Sequence, residues 1–198
     1  MNESAADHVW NTDETGVPPQ GTKAKKVIAL KGQKVVGTKR LYSRENITVI
    51  ATIHAVGGVM PPLIIFKGQR VQAAWLGGGP PGALYAATDS SFMQGPVFLN
   101  FITSFHMHIV HTGKDDGKPH ILLLDGHASH VTFEVIELAK SLNIELFQLP
   151  SHSSRITQPL GVAAFGIFKR EVTSVLGAFG RHHGGMMPVK VDMVAVVS

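Results

Sequence analysis

Residues 120–149 read HILLLDGHASHVTFEVIELAKSLNIELFQL and predict a strand, a helix and a second strand in direct succession. The continuous apolar run at 120–124 is typical of a strand buried on both faces. Apolar residues then recur at helical spacing from Val131 to Leu142, with Ser129 as a candidate N-cap. Ile144–Leu149 forms the second strand. This alternation favours parallel strands covered by helices.

The chain on either side of this unit predicts the rest of a mixed sheet. Asp7–Asn11 is a short apolar strand that ends at the turn residues of NTDETG and so delivers Asp13 at its C-terminal end. Segments rich in Val, Ile and Thr predict an antiparallel meander, and they lie at 26–30, 46–56 and 63–66. A helix is expected after Gly95-Pro96, because Phe98, Phe101 and Phe105 recur there at helical spacing, and another is expected over 160–176. Residues 177–198 lose the helical spacing and are expected to be a poorly defined Gly-rich tail behind a domain that spans 1–176.

The composition excludes several classes of protein. Hydrophobic residues make up 44% of the 198 residues and charged residues 16%, which excludes a disordered chain or a coiled coil and favours a single globular domain. We expect no membrane association and an intracellular location, because no apolar run approaches the roughly 20 residues of a membrane span and the N-terminus does not resemble a signal peptide. The absence of Cys restricts any metal to carboxylate or imidazole ligands.

One segment of the chain is strongly basic. Residues 21–44 contain eight Lys and Arg and no acid, whereas the rest of the chain has ten Lys and Arg against fourteen acids. The segment could lie along a phosphate backbone, or it could be a solvated strand edge protected by lysines. The candidate nucleic-acid contacts within it are Lys23, Lys25, Lys26, Lys34, Lys39 and Arg40.

Two Asp residues, Asp13 and Asp125, each follow a predicted strand. Open α/β sheets bind their ligands at the carboxyl ends of strands. Two carboxylates brought together there repel each other unless a cation lies between them, and oxygen ligands favour Mg²⁺ or Mn²⁺. The alternative for each Asp taken alone is a turn or helix-cap residue.

Four blocks of the sequence resemble, in order, the catalytic domain of pogo/Tigger/Jerky-type DDE transposases. They are NTDETG (11–16), SRENITVIATIHAVGGVMPPLIIFKG (43–68), ILLLDGHASH (121–130) and LPSHSSRITQPLGVAAFGIFKR (149–170). These transposases belong to the Tc1/mariner assembly and are related to centromere protein B. The resemblance covers residues 7–172 and implies an α/β fold similar to ribonuclease H, with a mixed sheet and helices on both faces.

The resemblance also implies a catalytic site of three acids that hold two Mg²⁺ or Mn²⁺ ions for phosphodiester cleavage and strand transfer. Asp13 matches the first acid and Asp125 the second. The third acid of the family stands where this chain has Gly161, in the block Gln-Pro-Leu-Gly. Glu171 lies about 15 Å further along the helix at 1.5 Å per residue, too far to replace it. We therefore expect weak metal binding and impaired cleavage, or a non-catalytic scaffold that binds DNA or protein.

The resemblance assigns supporting roles to a few more residues. Glu14, His127 and His130 are expected to orient the two Asp residues, and His152 is expected near the DNA. Family members carry helix-turn-helix modules before the catalytic domain, and only about a dozen residues precede Asp13 here. We therefore expect non-specific, salt-sensitive DNA contact. A nuclear location and a homodimer follow from the resemblance alone.

Overall fold

A six-stranded mixed sheet forms the centre of the molecule. The computed structural model describes residues 5–19, 31–32, 46–125, 132–150 and 157–198. The strands are β1 (Val9–Val17), β2 (Ile47–His54), β3 (Val59–Lys67), β4 (Leu84–Thr88), β5 (His120–Leu124) and β6 (Ile144–Gln148). The helices are α1 (Gly95–His111), α2 (Phe133–Ser141), α3 (Phe165–His182) and α4 (Lys190–Val196), and a π-helical turn, Leu160–Ala164, precedes α3. Within the described ranges, no helix is both long enough and apolar enough to cross a membrane.

The strand order of the sheet is β4-β3-β2-β1-β5-β6. Strands β1, β2 and β3 pair antiparallel, whereas β5 pairs parallel with β1 and β6 pairs parallel with β5. The expected mixed sheet is therefore confirmed. The strand expected at 26–30 lies outside the described residues.

Strand β1 is longer than the sequence predicts. The segment NTDETG was expected to turn, but it continues the strand to Val17 because each of its residues pairs with β2, from Asn11 opposite Ile53 to Gly16 opposite Thr48. A full ladder of backbone hydrogen bonds outweighs the local turn preference of Asp and Gly. Asp13 therefore lies within β1 and not at its end.

Helices cover both faces of the sheet, as expected. On one face, α1 and α2 pack against a core that contains Trp10 and Leu122. On the other face, α3 and α4 pack against a second core that contains Val17 and Phe66. Because successive strand residues point to opposite faces, Trp10 belongs to the first face, whereas Asn11, Asp13 and Val17 belong to the second.

Two helix boundaries differ from the expectations. The side chain of Thr132, and not Ser129, caps α2, where it accepts a hydrogen bond from the Val135 amide at 3.4 Å. The C-terminal residues 177–198 do not form the expected loose tail, because α3 continues to His182 and α4 buries Met193 and Val194 completely. The short apolar run of α4 has no visible helical spacing, and its burial depends on the core around Trp75.

Candidate metal centre

Asp13 lies within β1, and Asp125 directly follows β5, the parallel neighbour of β1. The parallel pairing of β1 with β5 sets Val9 opposite Ile121 and Asn11 opposite Leu123. Two residues further along each strand, this register brings Asp13 next to Asp125, which directly follows the last residue of β5. Strand alternation points the Asp13 side chain to the face covered by α3. The charge of Asp125 raises the pKa of Asp13, which places the two carboxylates near each other.

Burial and the neighbouring acids dominate the electrostatics of Asp13 within the described part of the chain. Burial raises the pKa of its half-buried carboxyl, while hydrogen bonds from the Glu14 amide and the Gln158 side chain lower it, and the charges of Asp125 and Glu14 raise it again. The Glu14 amide donates to Asp13 Oδ1 at 2.8 Å. Among the described residues, no cation contributes to this shift. Two neighbouring carboxylates with oxygen donors only are a donor set that fits Mg²⁺ or Mn²⁺.

Gly161 lies beside Asp13. It is in the π-helical turn Leu160–Ala164, which contacts β1. A β-carbon placed on Gly161 would lie 3.5 Å from Asp13 Oδ2, which is ordinary van der Waals contact. A carboxylate at position 161 would therefore face the same space as that of Asp13. Turns of this widened kind occur frequently at functional sites.

Two amide side chains that the sequence analysis did not identify join these elements. Asn11 Nδ2 donates to Gln158 Oε1 at 2.8 Å, and Gln158 Nε2 donates to the carbonyl oxygen of Thr12 at 3.2 Å. Both side chains are buried. They stand within the blocks NTDETG and QPLG, each two or three residues from an acid position, and that proximity was the only indication available in the sequence.

Of the remaining predicted site residues, Glu14 lies within the part of the chain that the structure describes. The amide of Glu14 contacts Asp13, but by strand alternation its side chain points to the opposite face of the sheet. The other predicted residues lie outside the described residues, and they are His127, His130, His152, Lys23, Lys25, Lys26, Lys34, Lys39 and Arg40. Trp10 and Trp75 are both buried in cores, so neither ring is free to stack on a nucleic-acid base.

A second group of residues, His8, Asp116 and His120, has ligand atoms within 4.8 Å of one another. It lies at the start of β1 and β5, roughly 16 Å along the strands from the two Asp residues at 3.3 Å per residue. Both ring nitrogens of His120 are already bonded, Nδ1 to the indole of Trp10 at 3.2 Å and Nε2 to the Lys114 carbonyl at 3.1 Å. The Lys118 ammonium also lies 3.3 Å from Asp116. The pair of Asp residues is therefore the better candidate for a metal centre.

A protein-family model described as DDE superfamily endonuclease matches residues 44–176. The chain belongs to this family. The matched range includes Asp125 and Gly161 and ends within α3 of this DDE domain.

Solved structures show the fold of this DDE domain. The Mos1 transposase paired-end complex with left transposon end is 13% identical, with a TM-score of 0.60 over 98% of this chain and 52% of that chain. The Mos1 mariner paired end complex with Mn is also 13% identical, with a TM-score of 0.60, and the match covers 98% of this chain and 54% of that chain. The Mos1 transposase catalytic domain with raltegravir and Mn is 10% identical, with a TM-score of 0.53 over 97% of this chain and 76% of that one. The DDE domain therefore has the ribonuclease H-like fold of these structures.

One curated relative of this chain is named as a transporter and not as a transposase. The MFS-type transporter clz9 of Cochliobolus lunatus is 30% identical to the DDE domain over 181 residues, which are 89% of this chain and 19% of that protein. The chain thus spans about a fifth of the length of this relative. The name describes the longer protein, most of which lies outside the match.

Proposed function

We propose that this DDE domain derives from a pogo/Tigger/Jerky-type transposase and binds DNA and a divalent metal, with phosphodiester cleavage and strand transfer impaired by Gly161. The observation that carries the proposal is the 3.5 Å separation between a β-carbon at position 161 and Asp13 Oδ2. A third carboxylate at this position would complete a site with Asp13 and Asp125. The chain has a hydrogen atom there instead.

Asp13 and Asp125 are the residues that would hold Mg²⁺ or Mn²⁺. Bound there, the ions would activate the attacking oxygen and stabilise the leaving oxygen of a phosphodiester. The protein contributes the orientation of Asp13, because the Glu14 amide donates to its carboxylate and the Gln158 side chain holds the carbonyl of Thr12 next to it. Mos1 complexes with Mn and with Mg have the same fold, which supports the choice of ions.

The loss of the third carboxylate weakens the site through its charge. Two divalent ions carry four positive charges, and two Asp residues neutralise only half of these. Without a third acid, binding of the second ion becomes weak, and we expect cleavage slower by orders of magnitude than in a three-acid site.

The DNA partner follows from the basic segment 21–44 and from the family. The Lys and Arg side chains of segment 21–44 would bind DNA phosphates without contacting the bases, so DNA binding would be non-specific and sensitive to salt. Mos1 was solved as a paired-end complex with a transposon end, which supports DNA as the partner. A homodimer is proposed from the family resemblance alone. A nuclear location agrees with a DNA-binding role.

The missing acid also favours a second candidate function. A DDE domain that has lost one of its three carboxylates can persist as a scaffold that binds DNA or protein without cleaving it. The two functions differ in their response when the third acid is restored in the presence of metal. A cleavage site gains activity, whereas a scaffold gains none.

Nicking of supercoiled plasmid in Mn²⁺ tests the proposal. We would compare the chain as given with Gly161→Asp and with Gly161→Asp combined with Asp125→Asn. Gly166→Asp is the matched control, because it adds an acid five residues further along, where a β-carbon meets nothing within 4 Å.

We expect only Gly161→Asp to cut. If Gly161→Asp is folded and inactive, the proposed cleavage site is refuted and the scaffold function is favoured. If Gly166→Asp cuts as well as Gly161→Asp, position 161 has no special role.

A further inference from the structure

Asn11 and Gln158 form a buried pair of amides in which each polar atom has a hydrogen-bond partner. Their residues are 4% and 1% exposed, respectively. Asn11 Nδ2 donates to Gln158 Oε1 at 2.8 Å and to the Leu123 carbonyl at 3.2 Å. Asn11 Oδ1 accepts a hydrogen bond from the Leu160 amide at 3.2 Å. We call these two side chains and their hydrogen bonds the amide clamp.

Gln158 extends the amide clamp to Asp13. Its Nε2 donates to the carbonyl of Thr12, the residue before Asp13, at 3.2 Å. The Gln158 side chain also lies close enough to Asp13 to lower the pKa of its carboxyl. The bond from Asn11 to Oε1 turns the Nε2 end of the Gln158 amide toward the Thr12 carbonyl. The backbone next to Asp13 is therefore held by Gln158, whose own orientation is fixed by Asn11.

The hydrogen bonds of the clamp end close to all three acid positions. Asn11 is two residues before Asp13 on β1, and the Leu123 carbonyl that it binds is two residues before Asp125. The Leu160 amide is one residue before position 161. Three segments that are far apart in the sequence thus meet at one pair of side chains.

Packing alone does not explain this arrangement. Buried amides lose their hydration, and apolar side chains of similar size would fill the same space without that cost. A fully bonded polar network fixes one geometry, which apolar contacts do less strictly. The site needs such a fixed geometry because its three acid positions lie on a strand, a strand end and a helical turn.

We propose that Asn11 and Gln158 are positioning residues that hold the three acid positions in register, so that the metal affinity of the site depends on both amides although neither binds the metal. This inference rests on the proposed function. Removal of groups that orient metal ligands typically weakens metal binding by about 10- to 100-fold.

Mn²⁺ binding in the Gly161→Asp background tests the amide clamp. Bound Mn²⁺ is measured by the loss of the free-ion signal in electron paramagnetic resonance. Gln158→Met and Asn11→Leu remove the hydrogen bonds while they roughly preserve volume. Asn11→Ser is a milder variant for use if the larger changes prevent folding, because the Ser hydroxyl retains one hydrogen-bond donor and one acceptor.

The matched control is Thr52→Val. The Thr52 hydroxyl is buried and donates to the Thr12 hydroxyl at 3.1 Å, so its removal also breaks a buried hydrogen bond beside β1. Thr12 points to the opposite face from Asp13, because the two residues are adjacent on one strand. A general loss of stability would affect the control and the clamp variants alike.

We expect the clamp variants to weaken Mn²⁺ binding at least tenfold and Thr52→Val to change it less than twofold. The clamp is refuted if Gly161→Asp binds Mn²⁺ in a manner that depends on Asp125 and the clamp variants bind it equally well. If Gly161→Asp binds no Mn²⁺ at all, the proposed function and the clamp are both refuted.

Discussion

Restoring an acid at position 161 is expected to make the stability of the domain depend on metal. In Gly161→Asp without metal, the new carboxylate lies beside that of Asp13, since the β-carbon position is 3.5 Å from Oδ2. At a separation of roughly 4 Å and an effective dielectric constant of about 20, two carboxylates repel by about 4 kcal/mol. Replacing Gly by an acid in the first turn of a helix regains about 1 kcal/mol. The net cost is about 3 kcal/mol at most, because protonation of one carboxyl can relieve the repulsion.

Mn²⁺ should reverse this loss. A free Mn²⁺ concentration one hundred times the dissociation constant stabilises the folded state by about 2.7 kcal/mol. For a domain of this size, 1 kcal/mol corresponds to a shift in Tm of roughly 2–4 °C. We therefore expect Gly161→Asp to melt below the parent in EDTA, by up to about 6–12 °C, and to recover most of that difference in Mn²⁺.

Thermal melts followed by circular dichroism, in EDTA and in Mn²⁺, measure both effects. Gly166→Asp is again the control, because its β-carbon position has open space and its carboxylate would lie in solvent. The reasoning is refuted if Mn²⁺ raises the Tm of Gly161→Asp and Gly166→Asp equally. It is also refuted if Gly161→Asp in EDTA melts at or above the parent temperature at low salt and pH 8.

Two further predictions concern the stability of the parent chain. Burial lowers the pKa of His108 and of His120. Below pH 6.5 the unfolded state therefore binds protons that the folded state does not, and the free energy of unfolding should fall as the pH falls. Urea unfolding between pH 5 and 8 should show this decline, and a flat profile would contradict it. Met193→Ala should cost about 2–5 kcal/mol because this side chain is completely buried under the second core, whereas Met186→Ala, at a residue that is 61% exposed, should change the stability by less than about 0.5 kcal/mol. Equal effects of the two Met changes on urea unfolding would show that α4 does not contribute to the core.

Local patterns in the sequence predicted most of the secondary structure correctly. The spacing of Phe98, Phe101 and Phe105 predicted α1, and all three residues are buried in the structure. The apolar run at 120–124 predicted β5, which lies between two parallel neighbours. Such predictions work because the period of a helix or strand is a property of neighbouring residues.

Contacts between distant segments account for the errors. The turn residues of NTDETG became part of β1 because β2 supplies a partner for each of them. The C-terminal residues became a buried helix because the core around Trp75 receives Met193 and Val194. Neither partner is visible from the local pattern.

The sequence by itself determined the resemblance to DDE transposases and predicted the roles of Asp13, Asp125 and Gly161, since each depends only on residue types at fixed separations. Only the tertiary structure decided that position 161 faces Asp13 and that Asn11 binds Gln158, which is 147 residues away in the sequence. The physical reason is that hydrogen bonds of this kind depend on the path of the chain through β1, β5 and the turn before α3. That path results from the packing of the whole sheet and cannot be read from any one segment.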